Sequence, residues 1–412
     1  MSTDGAISRP SGAQRPGDAQ RPEAGDAAGE ERAPRLSAAA MARLRRLRPD
    51  GPDEMGRELA EGHEAVAATL SLTGDHAHAL DASLAAAERL VLLGTGASLA
   101  MARAAAPSWR SRERAGPHPR AVLVRESAEA VFGGVDGDAF RPGDLVVAIS
   151  QSGSSPETLA AARLAVDAGA RVLAVTAHEA SPLAVVATDT VVLPIGDERG
   201  AATKSELATL AALLALAGNL PVDRPGVTAI RSWLSSIVES WEAVLPAVTR
   251  LAVARRTWIM GLGPTAGLAH AGSLLWHEKV HRQAVGTTVS EFRHGQVEAV
   301  GPHDVGFVIV PGPRSPDLEA YLELLAGELR QLGAATVWLD AGTTDRLAAA
   351  AAETVPLPPA PMPARQVAGA SLLGATLRLQ QLARGTAHAS GTYVDGFRVL
   401  REIVQAAPPR FD

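Results

Sequence analysis

Ser150-Gln151-Ser152-Gly153-Ser154-Ser155-Pro156-Glu157-Thr158 follows the apolar run 145–149 and leads into an alanine-rich amphipathic stretch. A strand that turns here into a helix gathers backbone N–H groups, the positive end of a helix dipole and several hydroxyls at one point. An anion such as a phosphate ester requires that combination. A serine-rich helix cap with proline in its first turn has a similar look. Four serines within six residues, beside Gln151, exceed what capping needs.

The same alternation extends outward from this segment. Runs 90–93, 121–124, 145–149, 172–175 and 191–195 read as strands separated by alanine-rich helices, the pattern of a parallel sheet covered by helices. A helical segment at 203–217 precedes Gly218-Asn219-Leu220-Pro221 and Asp223-Arg224-Pro225-Gly226, which read as a linker. A long helical pattern then leads to strands at 257–260, 305–310, 336–339 and 354–357. The second set repeats the first. Asp144-Leu145-Val146 and Asp304-Val305-Gly306 each open a strand, and Ser155-Pro156 and Ser315-Pro316 follow at the same interval. Gly94-Thr95-Gly96 and Gly261-Leu262-Gly263 each end a strand and begin a helix. The expected fold is α/β: two tandem units, each a doubly wound, flavodoxin-like parallel sheet flanked by helices. The expected divisions are a disordered tail at 1–35, a first unit at 36–222 and a second at 223–412. In the second copy, Val310-Pro311-Gly312-Pro313-Arg314-Ser315-Pro316 has lost most of the hydroxyls, so one phosphate site per chain is expected.

Composition narrows the function. The 412 residues are 46% hydrophobic with net charge −6, and no apolar run approaches the length of about 18 that spans a membrane. Mild acidity and 3% aromatic content argue against nucleic acid as a partner. There is no cysteine, which removes disulfides, thiolate metal sites and a cysteine nucleophile. Of the 39 basic residues only Lys204 and Lys279 are lysines, so a Schiff base has two possible carriers. Residues 1–35 are rich in Pro, Gly, Ser, Asp and Arg and lack the apolar stretch of a secretory signal, giving a cytoplasmic reading.

Three motifs carry competing chemistry. Gly261-Leu262-Gly263-Pro264-Thr265-Ala266 fits a loose dinucleotide fingerprint, but Pro264 crowds the turn and no acid follows at the usual distance. Gly94-Thr95-Gly96-Ala97-Ser98 reads as a tight turn presenting the Ser98 hydroxyl. His277-Glu278-Lys279-Val280-His281 satisfies HExxH, with Glu298 as a conceivable third zinc ligand. The pattern is short and lies in a repeat whose first copy suits phosphate, so neither a metal nor any other cofactor is expected. The bland alternative is an amphipathic helix with solvated His and Lys.

With the Ser150 segment, the double repeat and Glu291-Phe292-Arg293-His294-Gly295 in view, the chain resembles the SIS (sugar isomerase) superfamily. It is most similar to the double-SIS aminosugar-phosphate branch, the isomerase half of glutamine:fructose-6-phosphate aminotransferase and its deaminase-like relatives. The resemblance begins at Met55-Gly56-Arg57-Glu58 and runs to the C-terminus. It implies that Ser98, Ser150, Gln151, Ser152 and Ser155 hold a sugar phosphate and that Ala201 and Thr203 line the sugar. It implies Glu278 as the base for the C1 and C2 protons. It places His294 on a ring-opening histidine that reaches a neighbouring subunit's site, and hence implies a homodimer with shared sites.

Two departures shape the expected reaction. Leu275 stands where the resemblance implies a lysine, and aligning the C-terminal segment from Val394-Asp395 through Arg398 to Leu400 puts Glu402 at a second lysine position. No glutaminase half is recognisable, so glutamine-dependent synthesis is not expected. Removal of the C2 proton from an open aldose 6-phosphate gives an intermediate with three fates: isomerisation, deamination or loss of the C3 hydroxyl. The missing lysines favour, narrowly, elimination from N-acetylglucosamine 6-phosphate, with Glu402 or His281 as acid. A glucosamine-6-phosphate deaminase or isomerase is the alternative, and a non-catalytic sugar-phosphate sensor is the alternative of another class.

Overall fold

The computed structural model describes residues 35–397 apart from 52, 116–118, 134–138, 313, 341 and 343–344. The expected tail at 1–34 and Glu402 lie outside the described residues.

Two five-stranded parallel sheets carry the architecture. The first contains β1 (Arg89–Gly94), β2 (Ala121–Glu126), β3 (Asp144–Ile149), β4 (Arg171–Thr176) and β5 (Asp189–Val192), in the order β2-β1-β3-β4-β5. The second contains β6 (Thr257–Gly261), β7 (Ala284–Thr288), β8 (Val305–Val310), β9 (Ala335–Asp340) and β10 (Glu353–Pro356), in the order β10-β9-β8-β6-β7. Matching β6 to β1, β7 to β2 and so on makes the two orders identical. The expected tandem α/β repeat is therefore present. β3 and β8 are buried at every position, as strands covered on both faces must be.

Three expectations need correction. The strand placed at 191–195 pairs instead at Asp189–Val192, because Leu193 to Ile195 run on past the sheet edge as buried extended chain. β7 was not foreseen; its Gly286 packs so closely that an added Cβ would lie 2.4 Å from Ala269 O, so packing rather than an apolar run defines this strand. The linker reading of Asp223-Arg224-Pro225-Gly226 fails as well. Asp223 caps the Arg224–Glu239 helix by accepting from Gly226 N, with Pro225 in the first turn.

One core cluster includes residues of both sheets, among them Val147, Leu173, Phe307 and Leu339. The helices that follow β1 and β6, Gly96–Ala115 and Thr265–Leu275, cross backbone to backbone at Gly267. A Cβ there would lie 2.4 Å from Ala104 N and 2.6 Å from Ala100 O. The Ala364–Ser390 helix runs through the interior and fastens distant parts of the chain. Its Arg384 pairs with Asp53 at 2.7 Å and donates to Arg48 O, while Arg378 donates to the carbonyls of Pro356, Ile237 and Ser240. Despite its burial, the Asp53 carboxyl is held well below the usual range by hydrogen bonds from His388 and Arg384 and by the Arg384 charge.

Candidate active site

In a doubly wound sheet, ligands bind outside the carboxyl ends of the strands where the order reverses. In the first sheet that point lies between β1 and β3, and the loops beginning at Thr95 and Ser150 flank it. Gly96 turns the chain at φ +54, Thr95 Oγ1 donates to Glu126 Oε1 at 2.7 Å, and Ser98 is half-buried beside them. Across the crevice Ser150 is buried, and its Oγ lies 3.0 Å from Ser155 Oγ. Ser155 begins the Pro156–Asp167 helix without a capping hydrogen bond from its own side chain, so its hydroxyl is not taken by the helix it starts. Gln151 is fixed through its carbonyl, which accepts from Ala177 N and Thr176 Oγ1. Gly153, at φ +62, is required here because a Cβ would fall 2.2 Å from Ser181 Oγ. The loops that carry Ser98 and the Ser150 segment thus leave neighbouring strands, and Ser150 and Ser155 meet at a helix N-terminus.

The base candidate comes from the other half of the chain. The helix Thr265–Leu275 changes to a π-turn at Trp276–Val280, and His281 ends it in the left-handed region at φ 55. π-turns of this kind recur at functional sites because they re-aim side chains. Leu274, near the end of the Thr265–Leu275 helix, lies beside Gly96, with 3.9 Å from its Cδ2 to the position of an added Cβ. One helix therefore walls both the crevice and the base. Glu278 is half-buried, and burial pushes its carboxyl up to about 7 against the opposing Lys279 charge.

Around Glu278 lies a polar chamber. Glu58 is buried, its Oε1 accepting from Arg199 N at 2.6 Å and its Oε2 lacking a hydrogen-bond partner. Burial raises the Glu58 pKa, opposed by the Arg199 N–H. Glu198 accepts from Thr203 N and Ser205 N at 2.9 and 2.8 Å, and Thr203 Oγ1 donates to the Ala201 carbonyl. Gln380 Nε2 donates to Thr203 O at 2.9 Å and to Glu206 at 2.8 Å. Burial pushes the Glu206 carboxyl up to about 8, so it is protonated at neutral pH. Asp395 accepts from Met55 N at 3.1 Å, which closes the chamber from the C-terminal side. Glu58 Oε2, Ser205 Oγ and Gln380 Oε1 are all buried without a protein partner, as in a chamber meant to hold polar atoms from elsewhere.

Thr203 is tied to Ala201 O and, through Gln380, to Glu206, whose carboxyl feels the Glu278 charge, whereas His294 and His281 are exposed elsewhere. His294 is exposed at the end of the short Val289–Arg293 helix and lines a cavity of about 360 Å³ with Arg293 and Glu328. His281 is exposed, and the π-turn breaks the α-helical spacing that would align it with His277. His277 Nε2 instead accepts from Ala284 N. Among the described residues no group of three His, Asp or Glu is arranged to hold a metal. The bland reading also needs correction, since Lys279 is not solvated but 1% exposed. Sequence reasoning missed Glu58, Glu198, Glu206, Gln380 and Lys279 as chamber residues. Only Glu206 and Gln380 stand within alanine-rich helices, and Glu198 lies in the loop after β5, so no single local signal marks the set.

Residues 83–218 match the SIS domain family. The chain carries an SIS domain. The glutamine–fructose-6-phosphate aminotransferase (isomerizing) of Corynebacterium diphtheriae is 32% identical over 277 residues, 63% of this chain and 43% of that protein. The chain thus spans less than half the length of this curated relative. Likeness of fold extends beyond the matched region. The C-terminal domain of glucosamine-fructose-6-phosphate aminotransferase from Francisella tularensis aligns over 84% of this chain and 98% of its own, with TM-score 0.65 and 20% identity. Tagatose-6-phosphate ketose/aldose isomerase from Escherichia coli aligns over 87% and 96%, with TM-score 0.69 and 22% identity. Among the described residues no helix is long and apolar enough to cross a membrane.

Proposed function

We propose that this SIS protein transfers a proton between C2 and C1 of an aminosugar 6-phosphate, acting as an isomerase or, where the amine is free, as a deaminase. The observation that carries this reading is a carboxyl lifted to about 7, Glu278, in a polar chamber that shares a wall with a hydroxyl-lined crevice. The phosphate is seated among Ser98, Ser150, Ser152 and Ser155, with Gln151 beside it. Glu278, as carboxylate, takes the C2 proton of the open aldose, and the C–H electron pair forms the C1–C2 double bond of an enediolate or its 2-amino equivalent. Return of the proton to C1 gives the ketose form. A free 2-amino group then leaves as ammonia by hydrolysis of the ketimine.

The chamber favours a free amine over an acylated one. Glu58, Glu198, Glu206, Glu278 and Asp395 surround it, and an ammonium there meets carboxyl groups on several sides. Elimination from N-acetylglucosamine 6-phosphate stands as the second reading, supported by the buried, apolar Leu275 where an amine would assist amino chemistry. We further propose a homodimer in which a second copy brings its exposed His294 to the chamber for ring opening.

Incubation in D₂O with a panel of amino and N-acetylamino sugar 6-phosphates, followed by mass spectrometry, tests the reading. Deuterium incorporation or ammonia loss supports proton transfer, while loss of water from the acetylated sugar supports elimination. No exchange with any member of the panel refutes both.

A further inference from the structure

Proton abstraction at C2 leaves negative charge on the sugar, and the residues assigned above supply no cation to meet it. The chain contains two lysines. Lys204 is held by Glu61 at 2.5 Å beside a cavity of about 350 Å³ that Glu54, Arg57 and Arg199 also line. Lys279 has no such partner. It is 1% exposed, its one hydrogen bond among the described residues runs from Nζ to Val394 O at 2.8 Å, and no carboxylate there pairs with it.

We propose that Lys279 is a further catalytic residue, its ammonium donating to the oxygen that becomes negative when Glu278 removes the C2 proton. This rests on the proton transfer proposed above. Burial pushes the Lys279 amine below its ordinary value, and Glu58 on the Glu54–Ala86 helix, Asp395 near the C-terminus, Glu278 on the same turn and Glu198 after β5 oppose that shift. The amine is not locked into a contact pair, and when charged it keeps donors for a ligand. The wall it faces is backbone. Gly200, at φ +85, would carry a Cβ only 3.2 Å from Nζ, so any larger residue would crowd the amine. The proton balance is closed. Glu278 takes the C2 proton, the carbonyl electron pair moves onto O1 under the Lys279 hydrogen bond, a proton of the C2 amino group passes to O1 as the C2–N bond becomes the ketimine, and Glu278 returns its proton to C1.

The test compares two ligands by calorimetry: a phosphorylated aldonohydroxamate, which mimics the planar anionic enediolate, and the matching alditol 6-phosphate, which does not. The wild-type chain is expected to prefer the hydroxamate, and Lys279→Met to lose about 100-fold in hydroxamate affinity with alditol binding almost unchanged. Because the chain has no cysteine, Lys279→Cys alkylated with bromoethylamine rebuilds an amine at this one place and is expected to restore the preference. Should the methionine variant not fold, Gly200→Ala, which crowds the native amine, is expected to weaken the hydroxamate selectively. A hydroxamate preference that survives Lys279→Met, or equal loss of both ligands in Gly200→Ala, overturns the assignment of Lys279. A wild-type chain that binds neither ligand instead overturns the proposed function, and the lysine assignment with it.

Discussion

The two switch points share a topology and differ in what fills them. Between β1 and β3, the hydroxyls of Ser150 and Ser155 lie 3.0 Å apart, and Thr95 Oγ1 donates to Glu126 Oε1. Between β6 and β8, the equivalent loop contributes Arg314, whose buried guanidinium pairs with the equally buried Asp340 and donates to Gly342 O and Val310 O. Ser315 Oγ caps its own helix by accepting from Leu318 N, a bond that Ser155 does not make. The buried charge of the second loop is thus paired within the fold, while under the proposed function the hydroxyls of the first loop hold the phosphate. A duplicated α/β unit acquires or loses an anion site through a few loop residues while the sheet stays the same.

The sharpest way to break this comparison is to remove the base that the second half lends to the first. Glu278→Gln is expected to lower turnover by about 10² to 10⁴-fold while anion binding in the first crevice persists, measured by deuterium exchange and calorimetry. In the unmodified enzyme the carboxylate is the active form, so the rate should rise with pH through about 7. A flat profile across that range would remove Glu278 from the role. In the second crevice, Arg314→Met leaves Asp340 buried without its partner and should destabilise the fold by about 3–5 kcal/mol in urea unfolding. Unaltered stability would show that the pair does not hold that crevice together.

Hydroxyl removal probes the two loops directly. Ser150→Ala is expected to weaken sugar-phosphate binding by about 1.5–3 kcal/mol, the value of a hydrogen bond to a charged group, whereas Ser315→Ala should leave affinity unchanged. Equal effects at the two serines would erase the distinction between the crevices. The smallest effect concerns the Glu206 carboxyl, which folding lifts from its ordinary 4.5 to about 8. The folded state holds this proton more tightly, so the group's stabilising contribution is full below about 4.5 and is lost as pH rises through about 8. Glu206→Gln, neutral throughout, should flatten that decline in melting temperature, and an unchanged slope would exclude Glu206 as its source.

Strands and the serine loop were legible because each is written locally. An apolar run ends, a small or hydroxylated residue turns the chain, and alanine-rich helix follows, as at Ile149 and Ser150. Glu278 was legible only through family resemblance, since its HExxH setting points elsewhere. The remaining chamber residues were hidden because their roles depend on partners far along the chain. Lys279 reads as a surface residue until Val394 and Gly200 enclose it. Glu206 reads as the solvated first turn of Lys204–Leu216 until Gln380 buries it. The Ala364–Ser390 helix showed no amphipathic stripe because it is buried on nearly every side, with Arg378, Gln380, Gln381 and Arg384 bonded inside.

The Ala364–Ser390 helix has a consequence for the order in which a growing chain becomes competent. Ser150 and Ser155 are made early, and β1 to β5 are all complete before residue 200. The chamber around Glu278 waits for Gln380 and for Asp395, which meets Met55 across 340 residues. A half-made chain therefore carries its serine loop well before the residues that surround Glu278, and under the proposed function neither phosphate binding nor chemistry is complete until the second half has packed against the first. Only release of the last helix joins the two.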